Sequence, residues 1–180
     1  TSDSISFTAS SMPVTRTLVI GAGAAGLMCA ANLKTGGIIL EGSSRIGTKL
    51  LMSGHGHCNI THAGSIKDFP SCYGESGRSI RKILYKYSNA DLIDFLESLG
   101  IKTVTNGDNR IFPESMRAQD VRDAFLEAAE TNGFKIVTNR KVVEIHVAEA
   151  SSEVCKYIIV AEASDGQRFH YEATNLIIAT

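Results

Sequence analysis

No two cysteines in this chain stand at C-x-x-C spacing. Cys29, Cys58, Cys72 and Cys155 are far apart, which excludes a zinc ribbon and a dithiol redox centre and makes a reducing, cytoplasmic home the expectation. Charge of either sign is not in excess: 18 basic against 19 acidic side chains leave a net charge of −1, with no basic block to neutralise a row of phosphates. Nucleic acid is therefore not an expected partner. A long hydrophobic run is missing too. The uncharged stretch Thr17–Leu33, flanked by Arg16 and Lys34, is shorter than the ~20 apolar residues of a spanning helix and holds three glycines and Asn32, so no membrane segment is expected. There is no internal repeat. What the 180 residues do have is a 43% hydrophobic fraction, enough to bury the core of one large domain, or of one domain with a small lobe.

Residues 1–13, rich in Ser and Thr and aperiodic, read as a flexible tail: a cloning remnant, a trimmed leader or a native extension. From residue 14 the chain reads as an α/β domain. "TRTLVI", ending at Ile20, fits a buried strand, "GAGAAGLMCAANLK" a helix stopped by Gly36 and Gly37, and "IILE" a second buried strand, which makes a short βαβ unit with parallel strands. The text from Gly42 to about Ser79 reads as a long loop region. Two helices follow, with apolar stripes Ile80, Ile83, Leu84, Tyr87 and Leu92, Phe95, Leu96, Leu99 expected to be core contacts, separated by a cap at Ser88 or Asn89. "IKTVT" and "RIFP" around "NGDN" predict a hairpin, and Val121, Ala124, Phe125 and Ala128 a third helix ending at Asn132-Gly133. "FKIV", "KVVEIHV", "KYIIVAEA", "RFHYEA" and, separately, "LIIAT" are predicted strands.

Gly21-Ala22-Gly23-Ala24-Ala25-Gly26 is a G-x-G-x-x-G, and its context gives it meaning: a strand feeds it, a helix leaves it, and Glu41 closes the next strand. Gly21 permits the tight turn, Gly23 lets main chain approach a pyrophosphate, and Gly26 lets the helix lie close to the sheet. The small Ala24, Ala25, Ala30 and Ala31 are expected to keep that helix near its strands. The helix start offers free N–H groups and about half a positive charge. A carboxylate at Glu41 suits ribose hydroxyls and repels a 2′-phosphate, favouring FAD or NAD over NADP at this site.

"SGHGHCNITH" poses a separate question. His55, His57, Cys58 and His62 could form a four-ligand metal set, but in an extended segment Cys58 projects opposite to His55 and His57, and His146 and His170 are isolated. Loop histidines without a metal are the other reading, and no metal site is expected.

"VIGAGAAGLMCA", Glu41, "GTKLLMSGHGHCNITH", "NRIFPESMRAQDV" and "LIIAT", in that order, resemble the BaiN-like family of NAD(P)/FAD-dependent oxidoreductases, which includes a dehydro-bile-acid reductase. The resemblance covers residues 14–180 and implies a Rossmann-like FAD/NAD(P)-binding domain with a parallel sheet, a β-meander and a small helical segment. In that family the central loop reads Ser-Gly-Gly-Gly-Arg-Cys-Asn; Ser53, Gly54, Gly56, Cys58 and Asn59 match, while His55 and His57 replace a glycine and an arginine, the latter losing a permanent bidentate charge. The Gly26–Glu41 interval is about three residues short, roughly one helical turn. The resemblance implies FAD with its pyrophosphate over Gly21–Gly26, its ribose on Glu41, adenine against main chain near Val142, and its isoalloxazine beside Lys49–Asn59, with Thr180 returning to the cofactor. Main-chain N–H groups freed by the loop glycines, with Lys49 nearby, suit a reduced flavin. Cys58 reads as a small buried loop residue and Phe112, Pro113 and Glu114 as structural; no side chain reads as a catalytic acid or base. The implied reaction carries hydride from NAD(P)H through flavin to an unsaturated small molecule. The implied whole continues past Thr180 into a substrate domain and a C-terminal return, so the chain reads as an N-terminal portion. Two alternatives stand: an NAD-binding dehydrogenase domain, or a non-catalytic nucleotide-binding module that needs a partner chain.

Overall fold

The computed structural model describes residues 14–147 and 156–180; the expected tail at 1–13 and Cys155 lie outside the described residues. In chain order the elements are β1 (Val14–Ile20), α1 (Ala24–Asn32), β2 (Gly37–Leu40), α2 (Thr48–Met52), β3 (Thr61–His62), α3 (Gly77–Lys86) and α4 (Asn89–Ser98). They continue with β4 (Thr103–Thr105), β5 (Arg110–Pro113), α5 (Ala118–Thr131), β6 (Phe134–Val137), β7 (Lys141–Val147), β8 (Tyr157–Glu162) and β9 (Arg168–Ile178). Two compact units result, one of the chain up to Ile46 together with Ala129–Thr180, the other of Gly47–Ala128.

The first unit is an α/β Rossmann-like fold on a six-stranded sheet in the order β6-β2-β1-β9-β8-β7. β1 pairs in parallel with β2 on one side and β9 on the other, and β2 pairs in parallel with β6; β7, β8 and β9 form the antiparallel meander. Strand alternation sends Leu18 and Ile20 to one face, where they join Leu40, Ile159, Ala161, Tyr171 and Ala173 in a closed apolar cluster. Val19 belongs to the opposite face, and α1 lies against it so closely that a Cβ on Gly26 would sit 3.4 Å from Val19 Cγ1. "RFHYEA" and the start of "LIIAT", expected as two strands, run together as one continuous strand, β9, which ends at Ile178 and leaves Ala179 and Thr180 outside it. The two residues between them, Thr174 and Asn175, do not break the ladder: Ala173 and Asn175 pair with Thr15 and Thr17. Because β1, β2, β6 and β9 are parallel, all four end on the same edge of the sheet, where the chain leaves β1 toward β2 on one side while β9, reached from the meander, lies on the other. In open α/β sheets that crevice is where ligands bind.

Helix α1 ends at Asn32, earlier than the glycines suggested, and its last carbonyls find an unexpected partner: Asn132 Nδ2 donates to the carbonyls of Ala30 (3.1 Å) and Ala31 (2.7 Å). Gly36, at φ +66°, then turns the chain into β2. Ala30 and Ala31 are buried as the close packing of α1 requires, whereas Ala24 and Ala25 are exposed at the helix start and do not pack on the sheet.

In the second unit β3-β5-β4 make a small antiparallel sheet, with the expected β4–β5 hairpin closed through Asn109 at φ +59°. The region read as loop from Gly42 to Ser79 holds α2, β3, 3-10 turns at Ser53–Gly56 and Phe69–Ser76, and the start of α3; segments this short leave no period to read. Ser88 is the α4 cap: its hydroxyl accepts the Asp91 N–H while the Asp91 carboxylate accepts the Ser88 N–H, a reciprocal capping box. The α4 stripe is anchored by buried Leu96, and the Phe95 ring stacks on Phe125 at 6.1 Å between centroids. The α3 stripe is not core. Ile83 is 70% exposed, Tyr87 is exposed, and Ile80 and Leu84 are only half-buried, because periodicity says which residues share a face and not whether anything covers it. Phe112 and Pro113 are buried, and Glu114 is exposed.

Candidate functional site

Each of the three motif glycines meets a different environment. Gly21 takes φ +100°, and a Cβ there would stand 2.6 Å from the Ala179 carbonyl oxygen. Its N–H donates to the Leu40 carbonyl at 2.8 Å, so turn and strand ends are stitched together. A Cβ on Gly26 would collide with the Gly21 carbonyl oxygen. These two glycines are demanded by the protein's own packing. Gly23 is not: it has ordinary extended dihedrals, φ −79° and ψ −172°, and beyond its immediate chain neighbours no atom lies within 4 Å of the place its Cβ would occupy. Gly23 is also the N-cap of α1, and no side chain caps that helix. The first-turn N–H groups, those of exposed Ala24 and Ala25 among them, carry the partial positive charge of a helix start.

Glu41 follows β2 and bridges this turn to the next loop. One carboxylate oxygen accepts the Ala22 N–H at 2.8 Å; the other accepts the Ser43 N–H and the Ser43 hydroxyl, both at 2.9 Å. Burial pushes this carboxyl up, but hydrogen bonds from the Ser43 N–H, the Ala22 N–H, the Ser43 hydroxyl and the Gly42 N–H outweigh it and hold the group below the usual carboxylate range. The oxygen bound to the Ala22 N–H retains acceptor capacity for a hydroxyl, whereas Ser43 occupies both sites of the other. The acid thus has a structural task that spacing alone did not reveal: it ties the glycine turn to the end of β2. Replacing it with Gln puts an amide N–H₂ against a main-chain donor, and we expect Glu41→Gln to cost about 1–3 kcal/mol in urea unfolding at neutral pH. The folded value is depressed, so the ionised contribution is present above the ordinary glutamate range of about 4.3. It is lost as pH falls through the folded value. The wild-type advantage should therefore shrink on acidification, and an advantage constant with pH would refute the assignment.

Sequence reasoning missed Asn139 and Arg140, in the short β6–β7 turn at the same sheet edge. Asn139 takes φ +53° and donates its N–H to the Ser43 carbonyl at 3.0 Å; the Arg140 N–H donates to the Glu41 carbonyl at 2.9 Å. The Arg140 guanidinium lies over the Phe169 ring at 3.6 Å. Among the described residues its Nε is buried with no hydrogen-bond partner. The dipeptide Asn-Arg between two strands was the available signal. Val142 is half-buried against the apolar cluster beside this turn. Thr180 is exposed, with its Cα 3.4 Å from the Cβ position of Gly21, and the Ala179 N–H donates to the Ile20 carbonyl at 2.9 Å. Gly21, Gly23, Ala24, Ala25, Gly26, Glu41, Val142 and Thr180 are thus all in the first unit.

Lys49, Ser53, Gly54, Gly56, Cys58 and Asn59 all lie in the second unit. Lys49 is exposed on α2. The loop after it winds tightly, with Gly54, His55, Gly56 and Cys58 all at positive φ. At Gly54 a Cβ would meet the Asn59 nitrogen at 2.8 Å and the Phe112 ring at 3.1 Å, so glycine is required there. Two loop N–H groups are consumed internally, His57 donating to the Gly54 carbonyl and Cys58 to that of Ser53. The main-chain N–H groups of these two residues are therefore engaged within the loop. His57 Nδ1 sits 2.9 Å from the Met116 carbonyl; a carbonyl only accepts, so that nitrogen carries a proton. Cys58 is buried, and burial pushes its thiol up, partly offset by a hydrogen bond with the Ser53 side chain. Among the described residues no three His, Cys, Asp or Glu side chains form a metal-sized group, and no helix is long and apolar enough to cross a membrane.

A family model described as the HI0933-like protein Rossmann domain matches residues 15–180. The chain is 27% identical over 167 residues to a ribosomal RNA dihydrouridine synthase of Haemophilus influenzae, covering 91% of this chain and 39% of that protein. It is 32% identical over 157 residues to a 3-dehydro-bile acid delta(4,6)-reductase of Clostridium scindens, covering 84% of this chain and 36% of that protein. The chain thus spans well under half the length of these two relatives. Among solved structures, the open conformation of a flavocytochrome c3 fumarate reductase superposes with a TM-score of 0.67 at 22% identity, over 93% of this chain and 34% of that one, a likeness of fold.

Proposed function

Because the chain belongs to the HI0933-like protein Rossmann domain family, we propose that it binds FAD, as the N-terminal portion of an oxidoreductase that takes hydride from NAD(P)H and passes it to an unsaturated small molecule. Bound FAD would supply the hydride chemistry itself. The chain's residues bind and orient it. Gly23 admits the pyrophosphate against bare main chain, and the N–H groups opening α1, with those of Ala24 and Ala25, face its negative charge. Glu41 accepts a ribose hydroxyl on the capacity its internal bonds leave over. Main chain at Val142 borders adenine, and Thr180 flanks the cofactor beside Gly21. Lys49, Ser53, Gly54, Gly56, Cys58 and Asn59 line the isoalloxazine, Lys49 by charge and Cys58 through its main chain, since its thiol is buried. The two relatives, a ribosomal RNA dihydrouridine synthase and a 3-dehydro-bile acid delta(4,6)-reductase, support an unsaturated acceptor. Further catalytic parts would come from additional chain or from a partner chain.

The observation that carries the reading is the open space at Gly23: packing explains the other two motif glycines, whereas here the protein's own atoms leave room for a ligand to reach bare main chain at the start of α1. Titration of the purified protein with FAD and with NAD⁺, followed by flavin absorbance and by calorimetry, tests it. Saturable FAD binding at one equivalent is expected. NAD⁺ binding without FAD would favour a dehydrogenase domain instead, and binding of neither would overturn the proposal.

A further inference from the structure

Within the second unit a cavity of about 570 Å³ opens beside the far end of the glycine-rich loop, a volume in the range of small-molecule sites. Asn59 and Ile60 belong to its wall, which continues through His62 and is faced by Phe69, Cys72 and Tyr73 of the 3-10 turn. That wall is held from behind. Asn89 Nδ2 donates to the carbonyls of His62 (3.0 Å) and Gly64 (3.1 Å), and the N–H groups of Ile60 and Ala63 donate to the carbonyls of Ile111 and Asn109. The other side is locked by Gly77, where a Cβ would collide with the Pro70 carbonyl oxygen. With these main-chain groups engaged, recognition falls to side chains. Among the described residues no Lys or Arg lines the cavity, and the one lining carboxylate, that of Asp68, disfavours an anion. His62 Nδ1 lies 2.7 Å from the Ala63 carbonyl, which only accepts, so Nδ1 carries a proton and, in the uncharged form of the ring, Nε2 is the acceptor.

We propose that this cavity binds a neutral, ring-shaped molecule between Phe69 and Tyr73, one that offers an N–H or O–H to His62 Nε2. Binding itself stands on the cavity alone; that the occupant is the hydride acceptor rests on the flavin reading above.

Three probes of one ring separate the elements of the proposal: 2-quinolone, its N-methyl derivative, which lacks the donor, and 2-quinolone-4-carboxylate, which adds an anion. Calorimetric titration of the whole chain should give binding of 2-quinolone, at least 10-fold weaker binding of the other two, and loss of 2-quinolone binding in Cys72→Trp, which fills the cavity from an exposed position. His62→Phe should remove the difference between 2-quinolone and its N-methyl form, while His62→Gln, which keeps an acceptor, should restore part of it. Equal affinity for all three probes, no binding of any, or binding indifferent to Cys72→Trp would overturn the proposal. FAD titration of the same preparations separates the two readings. FAD binding without 2-quinolone binding removes the cavity site and leaves the flavin reading standing. Binding of 2-quinolone without FAD keeps the cavity site and removes its role as the seat of a hydride acceptor.

Discussion

Gly23→Val is expected to weaken FAD binding by at least 100-fold, about 2.7 kcal/mol, while the protein stays folded. The backbone at this position is extended, φ −79° and ψ −172°, and beyond the chain neighbours no atom stands within 4 Å of a new Cβ. The Cβ of a valine therefore has room in the protein itself. Its cost to stability is that of a poorer N-cap than glycine, no more than about 1 kcal/mol. Its cost to a pyrophosphate is the displacement of the charge from the N–H groups that open α1. Far-UV circular dichroism and thermal melting should be close to wild type while flavin absorbance in the purified protein disappears. Retained flavin at wild-type affinity would place the diphosphate elsewhere.

Gly26→Ala should give the opposite pattern, with stability lost first. A single methyl there is driven into the Gly21 carbonyl oxygen, on a helix already in contact with Val19. Overpacking against backbone costs about 1–3 kcal/mol, or roughly 2–12 °C in melting temperature for a chain of this size. Flavin affinity should fall as well, because Gly21 and α1 cannot both hold their places. The contrast between neighbouring glycines is the diagnostic part: a melting temperature unchanged in Gly26→Ala would mean that α1 can slide away from the turn, and the close packing described above would be wrong.

Those two glycines also show how far sequence reading reaches. The motif, the strand before it and the helix after it were legible because each carries a local signal: a β-branched run, a period, a glycine where main chain must bend. The parallel pairing of β1 with β2 followed from the same text. Other features needed three dimensions. Glu41 was legible as an acid at the right distance, but not as the group that binds the Ala22 and Ser43 N–H donors, since one of those contacts spans 19 positions. Asn132 closing α1 spans about a hundred. The α3 stripe was visible and its exposure was not, because burial depends on a covering surface that no helix encodes in its own period. In the histidine loop the glycines were legible as turn formers. That His57 serves the Met116 carbonyl depends on a second segment folding over it. The join of "RFHYEA" and "LIIAT" into β9 was missed because a strand long enough to serve two neighbours looks, in text, like two strands.

That double service of β9 has a consequence in time. The strand completes the antiparallel meander through Arg168–Ala173 and lies along β1 through Glu172–Ile178, so β1, which leaves a ribosome well before β9, waits for it before its second edge is filled. Contacts between such distant positions are slow to form, and domains are built from the N-terminal end during synthesis. The glycine corner, though made long before β9, is completed only when β9 arrives, and a nascent chain that stops short of β9 carries the motif without the floor on which it stands.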